Sequence, residues 1–435
     1  SKRVLLLVSS KSYRSAAFLA AAERLGLQVV QAVDLPTELA AYWHVELGVP
    51  FSQPAESARA LAPRLADTPL AAVVPVDDGA TLLAAHLSDL LHLASNPPES
   101  ALAARDKLLM RRCFAAAGVP SPEFEPISLD ANPQLIAEEA AYPCVLKPLR
   151  LSGSRGVIRA NNAAEFSAAF ARIRRMLVAE AGDDGGQLLV ERFIPGREVA
   201  LEGLLSAGSL RVLALFDKPD PLDGPFFEET LYVTPSRLAA ATQRQIAVCA
   251  EAAARAVGLR EGPVHAELRV NEAGPWMVEL AGRSIGGLCS SILEFGSGMP
   301  LEELILRHFT GLPAGAELAR GAVGVMMIPI PGSGRFRGCS GIEAAQAVPL
   351  VRGVEISIRP NQRIVALPEG ASYLGFIFAR GDTPAQVEIA LREAHGCLRF
   401  DIEPELPLLA LHSFFGPQLA QAAAGNEKRG AHAVG

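Results

Sequence analysis

Gly262-Pro263-Val264-His265-Ala266-Glu267-Leu268-Arg269-Val270 reads as one β-strand, and Trp276-Met277-Val278-Glu279-Leu280-Ala281-Gly282-Arg283-Ser284-Ile285-Gly286-Gly287 as a second that ends in a glycine loop. Asn271-Glu272-Ala273-Gly274 between them has hairpin-turn chemistry. Glu267 and Glu279 then sit on adjacent antiparallel legs, 12 residues apart. Alternation puts His265, Glu267 and Arg269 on one face, and likewise Met277 with Glu279. Two carboxylates on one face repel unless a cation lies between them. Oxygen ligands combined with phosphates suit Mg²⁺. Arg283, four residues beyond Glu279, is placed to grip a transferring phosphoryl group or an oxyanion. The plain alternative is a surface hairpin of paired charges, but the apolar neighbours Val264, Leu268, Val270, Met277, Val278 and Leu280 argue against full exposure. His265 shares the face of Glu267; it orients a ligand, acts as a base or is a satisfied core histidine, and a structural or supporting role is favoured.

Upstream, Cys144-Val145-Leu146-Lys147-Pro148 is a strand bearing one lysine, followed by Ser152-Gly153-Ser154-Arg155-Gly156-Val157. An ammonium is a compact charge suited to nucleotide phosphates, and glycines let backbone N–H groups turn toward phosphate oxygens. A salt-bridged lysine before a hairpin turn is the equal alternative. Val190-Glu191-Arg192-Phe193-Ile194-Pro195-Gly196-Arg197-Glu198-Val199 is a strand, a turn and a second acid. An adenine needs an apolar slot with backbone hydrogen bonds, and a ribose needs a carboxylate acceptor, roles open to Glu191 and Glu198. Exposed hairpin acids would look the same.

Around these motifs the chain alternates strands with helical patterns. Residues 4–10 are an apolar run, a helix follows to about Leu25, and 27–33 and 71–76 are further strands, which predicts right-handed βαβ crossovers and a parallel sheet. No G-x-G-x-x-G occurs there. Ser95-Asn96-Pro97-Pro98 reads as a linker, a helix begins near Lys107 and closes at Gly118, and further helices are expected over about 238–257 and 384–395. A net charge of −7 in 435 residues argues against a general nucleic-acid binder. The longest apolar stretches fall short of a membrane span. Six scattered cysteines without metal spacing point to free thiols in a cytoplasmic protein. The start at Ser1 rather than methionine points to processing or trimming.

Taken in order, these pieces resemble the ATP-grasp superfamily over roughly residues 1–310: Arg105-Asp106-Lys107 with Gly118-Val119-Pro120-Ser121-Pro122, then Val145-Leu146-Lys147-Pro148, the 152–157 loop, Glu191-Arg192-Phe193-Ile194 with Gly196-Arg197-Glu198, and Glu267 and Glu279 with Arg283. The resemblance implies an α/β (α+β) ATP-grasp fold with a Rossmann-like parallel-sheet N-terminal domain. The expected units are residues 1–98, an ATP-grasp region 99–312 with a lid at about 120–196, a C-terminal α+β domain 313–405 and a tail 406–435. It further implies that Lys107 and Lys147 contact ATP phosphates and that the loop carrying Ser152, Gly153, Ser154 and Gly156 closes over them. Glu191, Phe193 and Ile194 would hold adenine, Glu198 the ribose, Glu267 and Glu279 Mg²⁺, and Arg283 with the N–H groups of Gly286 and Gly287 the acyl-phosphate chemistry. Ala281 stands where many members have an asparagine metal ligand, which puts the metal count in doubt.

Within the superfamily the chain is similar to the L-amino acid ligases that make dipeptides, through Phe226–Pro235, the Gly-Pro-Val-His-Ala-Glu strand, the Arg-x-x-Gly-Gly loop, Val365-Ala366-Leu367-Pro368 and Gly375–Gly381. That likeness implies Glu229 facing the amino group of the first substrate, with Tyr232 lining the same pocket; an exposed loop acid is the equal alternative for Glu229. The function expected is ATP- and Mg²⁺-dependent joining of a small-molecule carboxylate to an amine, both amino acids, through an acyl phosphate. The alternatives are another ATP-grasp carboxylate ligase, purine-pathway or biotin-carboxylase-like, or a non-catalytic nucleotide-binding regulator. No nucleic-acid or membrane partner is expected, and a homodimer is the default assembly.

Overall fold

The computed structural model describes residues 2–404 except 11, 13, 41, 43, 44, 67, 68, 182–185, 287, 297, 314, 316 and 371. The expected tail at 406–435 and Gly287 therefore lie outside the described residues.

The N-terminal strands Arg3–Val8, Gln28–Val33, Leu47–Gly48 and Ala72–Pro75 pair in parallel, with Arg3–Val8 central between Gln28–Val33 and Ala72–Pro75. A central parallel strand is buried on both faces. Accordingly Val4, Leu6 and Val8 face one core while Leu5 and Leu7 face another, which explains the unbroken apolar run. The carboxyl ends of these strands bring Ser9, Ser12 and Asp77 together at one edge, where ligands of open α/β sheets bind. Helix Ser15–Arg24 packs on helix Leu301–Phe309, tied by ion pairs Arg14–Glu302 at 2.7 Å and Arg24–Glu303 at 2.9 Å.

The large central sheet is antiparallel. Its strand order is Gly274–Ala281, Gly262–Asn271, Arg197–Ser206, Ser209–Asp217, Leu231–Thr234, Ala322–Ile328, Gly375–Gly381, Val351–Ile356. The sheet is continuous across position 313, because three strands from beyond it extend the same ladder. One face carries Val199, Leu201, Leu205, Val264, Ala266 and Leu268 and buries them under helices Lys107–Ala117 and Ala240–Val257. The other face carries the charged residues described below and continues into a second core through Ala200, Phe216, Tyr232, Val325, Met327 and Phe376.

Helix Lys107–Ala117 forms in the stretch expected to be helical around Lys107. The Asp106 carboxylate accepts from the N–H groups of Leu108 and Leu109 at 3.1 and 3.2 Å, and Gly118 closes the helix at φ 67°. The segment 95–98, expected as a linker, is pinned instead: the Asn96 side chain accepts from Arg260 and Glu261 N–H groups and donates to the Glu261 carbonyl.

A separate antiparallel sheet, ordered Phe124–Ser128, Gln187–Arg192, Cys144–Pro148, Ile158–Ala160, is backed by helices Pro133–Glu139 and Ala163–Ala181. It projects over the charged face of the central sheet. A third antiparallel sheet, ordered Arg363–Ile364, Gly334–Ser340, Arg399–Pro404, completes the C-terminal part. All six cysteines are free thiols. Among the described residues no helix is long and apolar enough to cross a membrane.

Candidate active site

The hairpin that opened the sequence reading forms with a two-residue turn, Asn271 pairing with Gly274, and Glu267 stands directly opposite Glu279. Its one departure from expectation is a bulge. Register shifts between Glu267 and Leu268, so Leu268 pairs with Met277 and Val278 is the extra residue. The bulge inverts the alternation: Met277 points into the core with Leu268, while Val278 and Glu279 both face the cleft. Met277 and Glu279 thus lie on opposite faces, not one.

A cleft of about 360 Å³ lies between the central sheet, the overhanging sheet and the N-terminal loops. It is lined by Lys107, Lys147, Ser152, Gly153, Ser154, Glu191, Phe193, Ile194, Glu198, Glu229, His265, Glu267, Glu279, Arg283 and Gly286. Residues chosen from six separate motifs, spread over 180 positions, therefore meet on one surface. Gly156 is the exception. It adopts φ 68°, a Cβ there would lie 2.6 Å from Pro148 Cγ, and its N–H donates to the Pro368 carbonyl at 2.8 Å. Its amide is spent on the C-terminal segment and is not offered to the cleft.

Behind the lining residues lies a layer of buried charges that the sequence reading missed. Arg111 and Lys147 both approach Glu191 at 2.7 Å, and Arg111 also donates to the Val278 carbonyl at 2.6 Å, holding the bulge. The Arg111 Nε–Glu191 Oε1 approach is a charge contact, misaligned for a hydrogen bond. Burial alone would push the Glu191 carboxyl up, but the Arg111 and Lys147 charges outweigh it and hold the group below its ordinary value. Glu191, read as a purine-side group, is paired with both Arg111 and Lys147, on a strand hydrogen-bonded along both edges.

Lys218, immediately after strand Ser209–Asp217, reaches Glu198 at 2.9 Å and Glu267 at 3.6 Å and also pairs with Glu229. Burial would lower its pKa, but the three carboxylates hold it well above its ordinary value. These acids bring carboxylate oxygens within 4.8 Å of one another. Glu229 is held up by burial and by the charge of Glu267, which together outweigh Lys218. Glu202, buried mid-strand between Leu201 and Gly203, pairs with His265 Nδ1 and accepts from the Ile285 N–H at 3.1 Å, while His265 Nε2 lies 3.2 Å from Glu267. Burial would depress the imidazole, yet Glu202 and Glu267 push it up to about 9. His265 thus bridges two acids, Glu202 and Glu267.

Lys107 sits 3.5 Å from Glu279 and donates to the Leu151 carbonyl at 2.9 Å, so the helix start and the glycine loop meet. Arg283 lies 3.7 Å from Asp78 of the N-terminal domain. Burial would lower its pKa, but Asp78, Glu279, Glu202 and Glu267 raise it. A charge within the apolar part of a strand (Glu202, amid Val199-Ala200-Leu201 and Leu204-Leu205), a lysine just after one (Lys218) and an arginine one helical turn after Lys107 (Arg111) were the available signals.

Comparison with known proteins finds two domain families along the chain. Residues 140–292 match the family described as ATP-grasp domain, and residues 326–403 match L-amino acid ligase C-terminal domain 2. The chain carries an ATP-grasp domain followed by an L-amino acid ligase C-terminal domain. Its structure is similar to that of the L-amino acid ligase from Bacillus licheniformis, with a TM-score of 0.74 and 26% identity, covering 93% of this chain and 99% of that one. Dapdiamide A synthase of Enterobacter agglomerans is 29% identical over 232 residues, 51% of this chain and 53% of that protein. Alanine–anticapsin ligase of Bacillus subtilis (strain 168) is 26% identical over 220 residues, 47% and 46% of the two chains. The ATP-grasp protein spans about half the length of these curated relatives. ATP-grasp enzymes use ATP and Mg²⁺, and structures sharing the fold at 17% identity hold MgADP or ATP.

Proposed function

We propose that this ATP-grasp protein joins two L-amino acids into a dipeptide, activating the carboxylate of one with ATP and releasing ADP and phosphate. The carrying observation is the layout of the cleft. Val145, Phe193, Ile194 and Val278 make an apolar end beneath the glycine loop, and Lys107, Lys147, Glu267, Glu279 and Arg283 make a charged middle. That order fits a nucleotide with its base under the overhanging sheet and its triphosphate over the hairpin.

The residues present fit a divalent ion. Glu267 and Glu279 stand directly opposite each other on the ladder, where like charges repel without a cation, and Glu267 is held in its ionised form by Lys218 and His265 against the pull of burial. Mg²⁺ bound by Glu267 and Glu279 would neutralise phosphate charge. Lys107 and Lys147 add positive charge around the transferring phosphoryl. Glu198, which lines the same cleft, is proposed to accept from the ribose hydroxyls.

In the first step a carboxylate oxygen of the first amino acid attacks the γ-phosphorus, and the bond to the β–γ bridging oxygen breaks, leaving ADP. In the second, the neutral amine of the other amino acid attacks the acyl carbon, the carbon–oxygen bond to phosphate breaks, and the ammonium proton passes to solvent. Arg283 and the N–H of Gly286 hold the tetrahedral oxyanion. The glycine loop keeps water from the acyl phosphate. Gly287 is proposed for the same oxyanion on sequence grounds alone.

The test is ADP and phosphate release over pairs of amino acids, with bicarbonate and phosphoribosylamine as rival substrates. Amide product with stoichiometric ADP supports the reading. Full turnover by Glu279→Ala would sink the metal assignment, and tight ATP binding with no ADP on any substrate would favour a regulator.

A further inference from the structure

Two buried charges that take no part in the steps above, Glu202 and Arg14, both turn toward the loop that carries the oxyanion donors Arg283 and Gly286. Residues 283–286 follow strand Gly274–Ala281 and belong to no strand or helix, so no ladder fixes their peptide groups. Glu202 is fully buried in strand Arg197–Ser206, opposite His265. One of its oxygens pairs with His265 Nδ1, and the other accepts from the Ile285 N–H at 3.1 Å. Arg14 is 5% exposed and immediately precedes helix Ser15–Arg24. Its Nη2 donates to Glu302 at 2.7 Å, while Nη1 donates to the Ser284 hydroxyl at 2.7 Å and to the Ile285 carbonyl at 3.4 Å. The guanidinium lies 5.2 Å from the centre of the Phe18 ring, and the Ser290 hydroxyl donates to Glu302 at 2.8 Å, so the cation is itself held in place.

An anion on one side and a cation on the other thus hold both backbone polar groups of Ile285, whose side chain is anchored in the core. The two groups belong to two different planar peptide units. The unit joining Ser284 to Ile285 also contains the Ser284 carbonyl, which accepts from Arg283 Nη1 at 3.0 Å. Holding its N–H end therefore fixes the oxygen that orients the Arg283 guanidinium. The unit joining Ile285 to Gly286 also contains the Gly286 N–H, which in a trans peptide points opposite to the Ile285 carbonyl. Holding that carbonyl aims the N–H. For stability alone, apolar side chains of similar volume would serve as well as a buried carboxylate and guanidinium. Donor direction is what apolar side chains would not supply.

We infer that Glu202 and Arg14 are positioning residues for the amide-forming step: each, through one rigid peptide unit, aims one of the two oxyanion donors. The inference rests on the ligase reading. The acyl phosphate forms beside Lys107, Lys147 and Glu279, so a loosened loop leaves ADP formation running while amine attack slows. Water then cleaves the waiting acyl phosphate to free carboxylate and phosphate, and ATP is consumed without amide.

The test incubates the full chain with Mg²⁺, ATP and an equimolar mixture of the twenty L-amino acids and compares ADP released with primary amine lost. The wild type is expected to release about one ADP per amine consumed. Ser284→Ala removes the hydroxyl but keeps the Arg14–Glu302 pair. It should raise that ratio at least about twofold, with ADP affinity by calorimetric titration within about twofold of wild type. Glu202→Leu should raise the ratio at least about fivefold, whereas Glu202→Gln, whose amide oxygen still accepts from the Ile285 N–H, should hold it within about twofold of wild type. Arg24→Met breaks the 2.9 Å pair to Glu303 between the same two helices without touching the loop, and should leave the ratio unchanged. A lower Tm in Glu202→Leu and Ser284→Ala with the ratio still at its wild-type value overturns the positioning roles and leaves the ligase reading standing. If Glu202→Leu does not fold, Ser284→Ala decides alone. No ADP from the wild type overturns both.

Discussion

Glu191→Ala tests the buried layer that carries the site. Glu191 is 2% exposed and is the shared anion of Arg111 and Lys147, both within 2.7 Å. Removing it leaves two buried cations facing each other without compensation. Breaking a buried pair from one side costs about 3–5 kcal/mol. At roughly 2–4 °C per kcal/mol for a cooperative unit of this size, Tm should fall by about 6–20 °C at neutral pH, read by calorimetry or circular dichroism. Glu191→Gln should lose less, since an amide oxygen still accepts from one cation. The sign with pH follows from linkage. Arg111 and Lys147 hold the carboxyl below its ordinary value in the folded state. Its contribution is therefore present above the unfolded value of about 4.3 and fades as pH falls through the folded one. The gap between wild type and Glu191→Ala should close in acid. Replacing Arg111 together with Glu191 by apolar residues should recover part of the loss, although the Val278 carbonyl then loses its donor. A Glu191→Ala protein within about 0.5 kcal/mol of wild type at neutral pH would behave like a surface substitution and refute the reasoning.

Four further outcomes follow from the same geometry. Lys218→Met leaves Glu198, Glu229 and Glu267 around an empty centre, so ADP formation and ATP affinity by calorimetric titration should both collapse; Lys218→Arg should not rescue, because a planar fork cannot replace a point charge among three acids. Glu279→Ala should cut kcat by about 10²-fold or more and raise the Mg²⁺ concentration needed for half-maximal rate. Arg172 meets Glu369 at 2.6 and 2.9 Å and lies over the Phe226 ring, while Arg155 donates to the Glu369 carbonyl, so one arginine staples the helix behind the glycine loop to two other segments. Glu369→Gln should loosen that roof and raise the ratio of ADP formed to amide formed, because the acyl phosphate meets water. Gly156→Ala should destabilise by about 1–2 kcal/mol, since its backbone is left-handed and Pro148 occupies the added methyl's space.

The legibility of the site divides along the same line as its two layers. Glu267 and Glu279 were readable as acids on the two legs of one hairpin because a short turn joins neighbouring strands, but the register set by that turn would put Glu267 opposite Val278, and only the bulge brings Glu279 into line. The helix around Lys107 closed by Gly118 and the parallel N-terminal sheet were readable because turn chemistry and alternation act within a few residues. The bulge at Val278 was not, because nothing in Met277-Val278-Glu279 distinguishes it from regular alternation, and the donor that holds it, Arg111, lies 167 residues away.

The sequence by itself determined which groups could face a nucleotide: the lysines, the paired acids and the glycine loop, each announced by residue type and short spacing. The tertiary structure alone decided what stands behind them: Arg111 beneath Glu191, Lys218 among three carboxylates, Glu202 steering His265 and the Ile285 amide. The physical reason is that a buried charge is tolerated only when an opposite charge arrives from elsewhere in the chain, and that meeting is arranged by packing, not by neighbours in sequence.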